Sequence, residues 1–215
     1  IVEHVLNQYS KSSLLIPYGG DHALNVESSS AEYLCLPDSY YLTICRIEPE
    51  NNLEMILLAF SKNTDQNIVI VGNWTNSDFG ITLKQQFSSY GNLILLDPIY
   101  DIGVLKTLRA GAEGYIHGHA AGGTNPSLVE MMHFGLPIYL FDCIYNRHTT
   151  QNNGLYFSCA EDLIILLNTS DKADFSRKGQ EMKTIANQKY TWDTVANAYF
   201  QLFLEESMQI KSSAE

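Results

Sequence analysis

The sequence predicts an α/β fold in which a parallel sheet is flanked by helices. Short apolar runs alternate with helical segments along nearly the whole chain, which is the pattern of parallel strands joined by crossover helices. The 215 residues are 45% hydrophobic, enough to bury a sizeable core in one large domain or two small ones. No apolar run approaches the roughly 20 residues that a membrane-spanning helix needs.

The elements are predicted in a regular order. The apolar runs predict strands over residues 12–17, 40–45, 67–72, 92–97, 114–118, 136–142 and 155–159. The segments between and after them predict helices over residues 50–61, 79–89, 101–111, 126–134, 160–168, 171–187 and 191–205. Residues 19–39 are predicted to form an irregular loop. One domain is therefore expected over residues 1–205, and residues 206–215 are predicted to be a disordered polar tail.

Charge and cysteine content limit the partners and the compartment. The formal net charge is -11, so the surface as a whole repels nucleic acid and anionic membranes, and any phosphate site must be local. The four cysteines show no CxxC spacing, which indicates small buried side chains in a reducing compartment. The chain opens without a signal peptide and begins abruptly, as expected for the middle of a longer protein.

Polar and small residues follow four of the predicted strands. Arg46 follows the first of these, Gly72 and Asn73 the second, residues 97–99 the third, and residues 117–119 the fourth. Ligands of parallel sheets bind outside the carboxyl ends of the strands, so these positions are expected to lie on one rim. A cation, small turns and a glycine-rich helix entry on one rim indicate a phosphorylated ligand. The alternative is that Arg46 is an ordinary surface cation.

The helix that begins near Pro126 carries recognisable end signals. Asn125 is a suitable N-cap, proline suits the first helical position, and Gly135 suits the end. The free N–H groups at the start of this helix, beside two glycines, predict an anion site. Glu130 lies one turn further on and is predicted to point back toward that site, where it could accept hydrogen bonds from ribose hydroxyls. The alternative is a well-capped helix with a solvated glutamate.

Other residues are open to more than one interpretation. His117 and His119 either touch a sugar or diphosphate or point into a polar loop, and a zinc site would need two more ligands. Cys143 lacks an obvious base and is predicted to be a packed thiol. Arg147 either meets the ligand or a further domain or lies on the surface. Aromatic residues between 192 and 203 have helical spacing and are predicted to form a packing stripe rather than a ligand platform. Part of this stripe could pack against a further domain, in which case it would be exposed in this chain and could self-associate.

Four segments resemble the group-1 (family 4) retaining glycosyltransferases. The segment "RIEPENNLEMILLAF" (46–60) resembles that family's Gly-Arg-Leu-x-x-Glu-Lys-Asn, and "GGTNPSLVEMMHFGLPI" (122–138) resembles its Glu-Gly-Phe-Gly-x-x-x-x-Glu. The segment "IPYGGD" (16–21) resembles the opening of the nucleotide-sugar domain, and "YTWDTVANAYFQLF" (190–203) its final helix. The combination of "PENN", "HGH" and "GGTNPSLVE" is most similar to the rhamnosyltransferase-like branch.

The resemblance implies a Rossmann-like sheet that forms one half of a GT-B fold. In that fold two Rossmann-like domains face each other across a cleft, and the C-terminal one binds the nucleotide sugar. This chain resembles that half alone, so the N-terminal, acceptor-binding domain is expected to be missing. By itself the chain is expected to bind donor and to show little or no transfer.

The resemblance also implies roles for individual residues. Arg46 would neutralise the diphosphate, and Asn51 stands where the family has a phosphate-binding lysine. Glu130 would hold the ribose, and Gly122 stands where the family has its first glutamate. Two further groups of contacts are implied. The phosphates or sugar hydroxyls would contact Gly123, Thr124, Asn125 and Ser127. The base would lie near Pro98 and Ile99.

The implied reaction is retaining transfer of a hexosyl group, with rhamnosyl as a specific case, from a dTDP- or UDP-linked sugar. The acceptor would be a sugar or lipid-linked saccharide bound by the missing domain, in polysaccharide biosynthesis. The family needs no metal or other cofactor. The location implied is the cytoplasm, with the full-length protein associating peripherally with the inner membrane face. Two alternatives stay open, a non-catalytic nucleotide-sugar-binding module and a sugar-nucleotide epimerase of the same fold.

Overall fold

The computed structural model describes residues 2–169 and 172–212, and its centre is a six-stranded parallel sheet. The strands are β1 (Tyr41–Ile44), β2 (Ile68–Val71), β3 (Leu93–Leu96), β4 (Gly114–His117), β5 (Ile138–Phe141) and β6 (Leu155–Phe157). Their order across the sheet is β3-β2-β1-β4-β5-β6. The predicted α/β fold with a flanked parallel sheet is confirmed.

Helices cover both faces of the sheet. The helices of the described residues are α1 (Val2–Tyr9), α2 (Leu53–Lys62), α3 (Asp78–Phe87), α4 (Ile102–Ala110), α5 (Pro126–Met132), α6 (Ile144–Thr149), α7 (Ala160–Asn168), α8 (Lys172–Lys189) and α9 (Trp192–Ser212), of which α1 has no buried residue. Short 3-10 turns lie at Asp21–Ala23, Glu32–Leu34 and Pro49–Asn51. None of the described helices is long and apolar enough to cross a membrane.

The hydrophobic core is divided by the sheet into two clusters. Successive side chains of a strand point to opposite faces, and in β2 Ile68 and Ile70 join one cluster whereas Val69 and Val71 join the other. The first cluster includes side chains of α2, α3 and α7, and the second includes those of α4, α5 and α8. Because both faces are covered, the strands are apolar on both sides, which explains their continuous apolar sequence.

The prediction of a strand over residues 12–17 is wrong. This segment has no regular secondary structure, and its Leu14 and Leu15 are exposed. All of the sheet's strands lie between residues 41 and 157, so the apolar run has no neighbouring strand with which to pair. The sequence also gave no signal for α1 and α6, which fall in segments without an assigned element.

The loop predicted over residues 19–39 is irregular apart from two of the 3-10 turns, and it is fastened to α4. Lys106 Nζ donates to the Val26 carbonyl at 2.7 Å, and Thr107 Oγ1 donates to the Ser29 carbonyl at 2.7 Å. At the other end of the chain, α9 continues to Ser212, seven residues beyond the predicted domain boundary at 205. Of the predicted disordered tail, residues 213–215 lie outside the described residues.

The strand order reverses direction between β1 and β4. The chain runs from β1 outward through β2 and β3, then returns to the other side of β1 and runs outward through β4, β5 and β6. The connections on the two sides of this point diverge, which leaves a crevice outside the carboxyl ends of β1 and β4. Arg46 and residues 117–119 follow these two strands, so the topology brings them to the crevice.

Candidate functional site

Two adjoining cavities occupy the crevice at the carboxyl ends of the strands. The larger, of about 410 Å³, lies over β1, β2 and β3, and the smaller, of about 240 Å³, lies over β1 and β4. Both are lined by Ile44, Cys45, Arg46 and Ser127, so they form one continuous space. We call this space the cleft, the larger part the wide end and the smaller part the narrow end.

Arg46 lies where the two ends of the cleft meet. Its side chain is 77% exposed, and Glu50 Oε1 lies 3.5 Å from one of its guanidinium nitrogens. A surface ion pair of this length contributes little, so the guanidinium can turn to an anionic ligand at small cost. The structure thus places the predicted cation on the predicted rim, in contact with both cavities.

The wide end of the cleft is largely apolar. Pro98 and Ile99 line it, as predicted, together with Gly72 and Asn73 from the end of β2. A side chain on Gly72 would collide with Ile47 and with the carbonyl of Cys45, so only glycine allows the close packing of this part of the wall. A flat, mostly apolar ring such as a nucleobase suits these walls.

Both polar atoms of the Asn51 side-chain amide form hydrogen bonds within the protein. Its Nδ2 donates to the Arg46 carbonyl at 2.8 Å, and its Oδ1 lies 2.8 Å from His119 Nδ1. The residue is buried although it lines the narrow end. The predicted amide hydrogen bond to phosphate is therefore not the main use of this side chain, which joins two loops of the cleft.

His117 and His119 both line the narrow end, with ring centres 6.1 Å apart. Burial lowers the pKa of His117 to about 3, with a smaller contribution from His119. Burial also lowers the pKa of His119, against the opposing effects of Glu50 and the Ala121 backbone and with a small contribution from Arg46 in the same direction. His117 Nε2 has no hydrogen-bond partner among the described residues. A buried polar atom of this kind is costly unless a ligand or water satisfies it.

The predicted start of α5 is confirmed, but the Asn125 cap accepts a hydrogen bond from one of the N–H groups that an anion would need. Asn125 Oδ1 accepts from the Ser127 N–H at 3.0 Å, and Pro126 occupies the first helical position. The helix ends at Met132, with Gly135 in the left-handed region at φ +72. Because the helix has only seven residues and its cap occupies a free N–H group, the predicted anion site is weaker than the sequence suggested.

The three residues before Asn125 divide between two sides of the loop. Gly122 lies beside His119, with φ +90. Gly123 and Thr124 instead line a separate cavity of about 370 Å³ whose other walls come from α1, Leu15 and α6. Neither residue is among the described residues that line the cleft, so their contact with the phosphates stays a prediction.

Glu130 is neither a solvated side chain nor a free carboxylate that faces the cleft. Its Oε2 contacts the guanidinium of Arg109, and its Oε1 lies 3.3 Å from His22 Nε2. It does not line either end of the cleft among the described residues there. The carboxylate is thus held by Arg109 and His22 in this structure, and its contact with a ribose stays a prediction.

Arg109 is the residue that sequence reasoning missed. Its side chain is 8% exposed, and it lies in the last turn of α4 next to Leu108, which is fully buried. A charge at the buried face of a helix needs a partner. The position of an arginine on the buried face of α4 could have indicated a buried ion pair. The sequence does not identify a glutamate 21 residues away as its partner.

The remaining candidates are held by local contacts. Arg147 makes two hydrogen bonds to Asp142, at 2.5 and 2.7 Å, and lies 4.2 Å from the ring centre of Tyr156. The Cys143 thiol donates to the His119 carbonyl at 3.8 Å, which agrees with a packed thiol. None of the four cysteines forms a disulfide, but Cys35 is exposed and the others are half-buried, so the prediction of buried thiols is only partly right.

The aromatic residues of α9 are exposed rather than packed. Trp192 contacts His22 through an indole N–H hydrogen bond of 2.9 Å, yet it is 45% exposed. The exposed fraction is higher than that of Trp192 for Tyr199, Phe200 and Phe203. This exposure agrees with the expectation that part of the stripe packs against a further domain and is uncovered in this chain. No group of three or more potential metal ligands occurs among the described residues.

Comparisons with known proteins agree on the fold. No protein-family profile and no curated protein sequence matches this chain. Sucrose-phosphate synthase from Thermosynechococcus elongatus matches 96% of the chain over 56% of its own length, with TM-score 0.77 and 17% identity. HepE from Anabaena, solved with UDP and glucose, matches 85% over 55% of its length, with TM-score 0.71 and 14% identity.

A third solved structure is itself a separate domain. The C-terminal domain of a group-1 glycosyl transferase from Francisella tularensis matches 82% of this chain over 97% of its own length, with TM-score 0.63 and 15% identity. This chain has the fold of a GT-B glycosyltransferase domain. It spans only 56% of the length of the sucrose-phosphate synthase and 60% of a glycosyltransferase from Rickettsia africae.

In this domain, the loop after β4 is docked closely on the turn at 49–51. Ala120 N donates to the Glu50 carbonyl and Asn52 Nδ2 to the Gly118 carbonyl, both at 2.8 Å. A Cβ at Gly118 would collide with the Asn51 carbonyl oxygen. We expect Gly118→Ala to lower the free energy of unfolding by about 1–3 kcal/mol, because the two backbones must separate. Chemical denaturation measures this change.

The matched control for this substitution is Gly91→Ala. A Cβ at Gly91 would have nothing within 4 Å. This variant should therefore differ from the wild type by less than about 0.5 kcal/mol. If Gly118→Ala were as stable as Gly91→Ala, close docking of the two loops would be disproved.

Proposed function

We propose that this chain is the nucleotide-sugar-binding domain of a retaining glycosyltransferase. The donor is a dTDP- or UDP-linked hexose, with rhamnose as the specific case that the "PENN", "HGH" and "GGTNPSLVE" segments favour. The acceptor is a sugar or lipid-linked saccharide in polysaccharide biosynthesis, bound by a separate N-terminal domain. The full-length enzyme works in the cytoplasm, at the inner face of the membrane.

The observation that carries this proposal is the position of Arg46. It lines both a larger, mostly apolar cavity and a smaller polar cavity, at the topological switch point of the sheet. A nucleoside-diphosphate sugar has the same sequence of chemical groups, namely a base, a charged diphosphate and a polyhydroxyl ring. The base would contact Pro98 and Ile99, the diphosphate Arg46 and Ser127, and the sugar the narrow end.

The arrangement also suggests how Arg46 assists transfer. When the bond between the sugar and the diphosphate breaks, negative charge grows on the departing phosphate. A guanidinium beside that phosphate stabilises the charge by charge-assisted hydrogen bonds, without a metal ion. Arg46 reaches the junction of the two cavities, where the bond that breaks would lie.

Titration calorimetry with UDP, dTDP, GDP and ADP tests the proposal. We expect one diphosphate to bind, and Arg46→Ala to weaken its binding about tenfold or more because a charge-assisted hydrogen bond is lost. Arg177→Ala is the matched control, since Arg177 is an exposed arginine paired with Asp174 and Glu181 on α8. Absence of binding to all four, or equal loss in both variants, contradicts the proposal.

One alternative has observations in its favour, namely a binding module without catalysis. Gly122 offers no carboxylate to the sugar, and Asn51 brings no charge to the phosphate. A transfer assay on the full-length protein distinguishes the two functions. Turnover of the bound donor supports the transferase, whereas tight donor binding without turnover supports the module. The epimerase alternative loses one of its acid–base candidates, because Glu130 is ion-paired outside the cleft.

A further inference from the structure

The narrow end of the cleft holds a pair of residues whose joint arrangement the sequence does not show. They are Asn51 and His119, which are 68 positions apart and joined by a contact of 2.8 Å. We propose that Asn51 positions His119, and that His119 binds a hydroxyl group of the transferred sugar. This inference rests on the proposed function and assigns one residue to sugar recognition and another to its support.

The hydrogen bonds of Asn51 determine which nitrogen of His119 carries a proton. Asn51 Nδ2 donates to the Arg46 carbonyl, so the atom that faces the histidine is the amide oxygen. An amide oxygen only accepts, and therefore His119 Nδ1 must donate. In the neutral ring, Nε2 is then left with a lone pair and accepts a hydrogen bond. A sugar hydroxyl is a suitable donor.

Space for a ligand lies on the Nε2 side of the ring. A Cβ placed on Gly122 would have His119 Nε2 as its neighbour at 3.8 Å and, apart from the adjacent residues, nothing else within 4 Å. Gly122 also has φ +90, a conformation that side-chain-bearing residues rarely adopt. The loop therefore leaves space next to Gly122, 3.8 Å from His119 Nε2, although the Ala121 backbone also interacts with this ring.

A second residue indicates that this space receives a polar ligand. His117 lines the same end of the cleft and is 4% exposed, and its Nε2 is buried without a partner among the described residues. Leaving that atom unpaired is costly, and a water molecule or a ligand hydroxyl that reaches it would remove the cost. Two imidazoles in one small cavity suit a ligand whose hydroxyls both donate and accept.

The distribution of charge in the cleft indicates where the sugar and the phosphates bind. Arg46 lines both ends, whereas the polar side chains that line the narrow end but not the wide end carry no formal charge; they are Asn51, His117, His119 and Asn125. A diphosphate is stabilised by the cation, whereas a neutral hydroxylated ring needs only hydrogen-bond partners. The sugar is therefore assigned to the histidine side and the phosphates to the arginine side.

The test compares a nucleotide with its sugar conjugate, titrated calorimetrically as UDP against UDP-glucose and dTDP against dTDP-rhamnose. We expect His119→Ala and Asn51→Ala to weaken binding of the sugar conjugate about tenfold, as for one lost hydrogen bond, and to change binding of the diphosphate less than twofold. His119→Gln keeps a polar group near the Nε2 position and should recover part of the loss. Asn67→Ala is the matched control, since its amide also donates to a backbone carbonyl but at the opposite end of the sheet.

Each outcome decides the inference. Equal weakening of diphosphate and sugar conjugate by Asn51→Ala would assign that residue to the phosphates and overturn the positioning role. Unchanged binding of both sugar conjugates by His119→Ala, or a wild type that gains nothing from the sugar, overturns the role of His119 while the proposed function stands. Failure of the wild type to bind any of the four compounds overturns the proposed function and this inference together.

Discussion

Replacing Arg109 with alanine is expected to lower the free energy of unfolding by about 3–5 kcal/mol. Arg109 contacts Glu130, and the two side chains are only 8% and 16% exposed. Removing the cation leaves a carboxylate that has lost its water without a full charge to replace it. His22 lies 3.3 Å from the other carboxylate oxygen, but its own exposure limits what it can compensate. Urea denaturation measures the change.

Two further variants separate the buried charge from the lost packing. Arg109→Met combined with Glu130→Gln removes both charges and keeps most of the volume, so it should be clearly more stable than Arg109→Ala. Arg177→Ala removes an exposed arginine that has two acidic partners, and it should cost less than about 1 kcal/mol. Equal losses in Arg109→Ala and Arg177→Ala would refute the view that burial makes the Arg109–Glu130 pair important.

The second large effect is a loss of stability in acid that depends on His117. Because burial lowers the pKa of this residue from 6.5 to about 3, the unfolded chain binds the proton more readily than the folded chain between these pH values. Its contribution is fully present above about pH 6.5 and is lost as the pH falls toward 3. The slope is at most about 1.4 kcal/mol per pH unit.

The measurement is the free energy of unfolding from pH 7 to pH 4 in the wild type and in His117→Asn. Asparagine is polar but does not titrate, so the variant should lose stability less steeply even if it is less stable at neutral pH. Every other titrating group is present in both proteins, and the comparison of slopes removes their contribution. Parallel curves would show that His117 accepts a proton in the folded state as easily as in the unfolded state.

Binding of the sugar conjugate is expected to shift the protonation equilibrium of the two histidines in the narrow end. A ligand that donates a hydrogen bond to His117 or His119 favours the neutral rings, whereas a protonated ring cannot accept at that nitrogen. Binding of the sugar conjugate is therefore expected to weaken as the pH falls through the acid range. The neutral state of the narrow end is consistent with a site for hydroxyl groups.

Most elements were predictable because their signals are local. The alternation of apolar runs and helical segments predicted all six strands of the sheet, and Asn125 with Pro126 predicted where α5 begins. The carboxyl-end rule then brought Arg46 and His117 to one crevice. The exception is informative, since residues 12–17 are apolar but have no neighbouring strand, and pairing is not a local property.

By itself the sequence determined the six strands of the sheet and seven of the helices in their order, the acidic surface and the residues that follow each strand. These depend on side-chain periodicity, caps and charge within short stretches of chain. Only the tertiary structure decided the partners: Glu130 with Arg109, Asn51 with His119, and Thr124 with the cavity on the far side of its loop. The physical reason is that a buried polar group takes its partner from whatever distant segment packs against it.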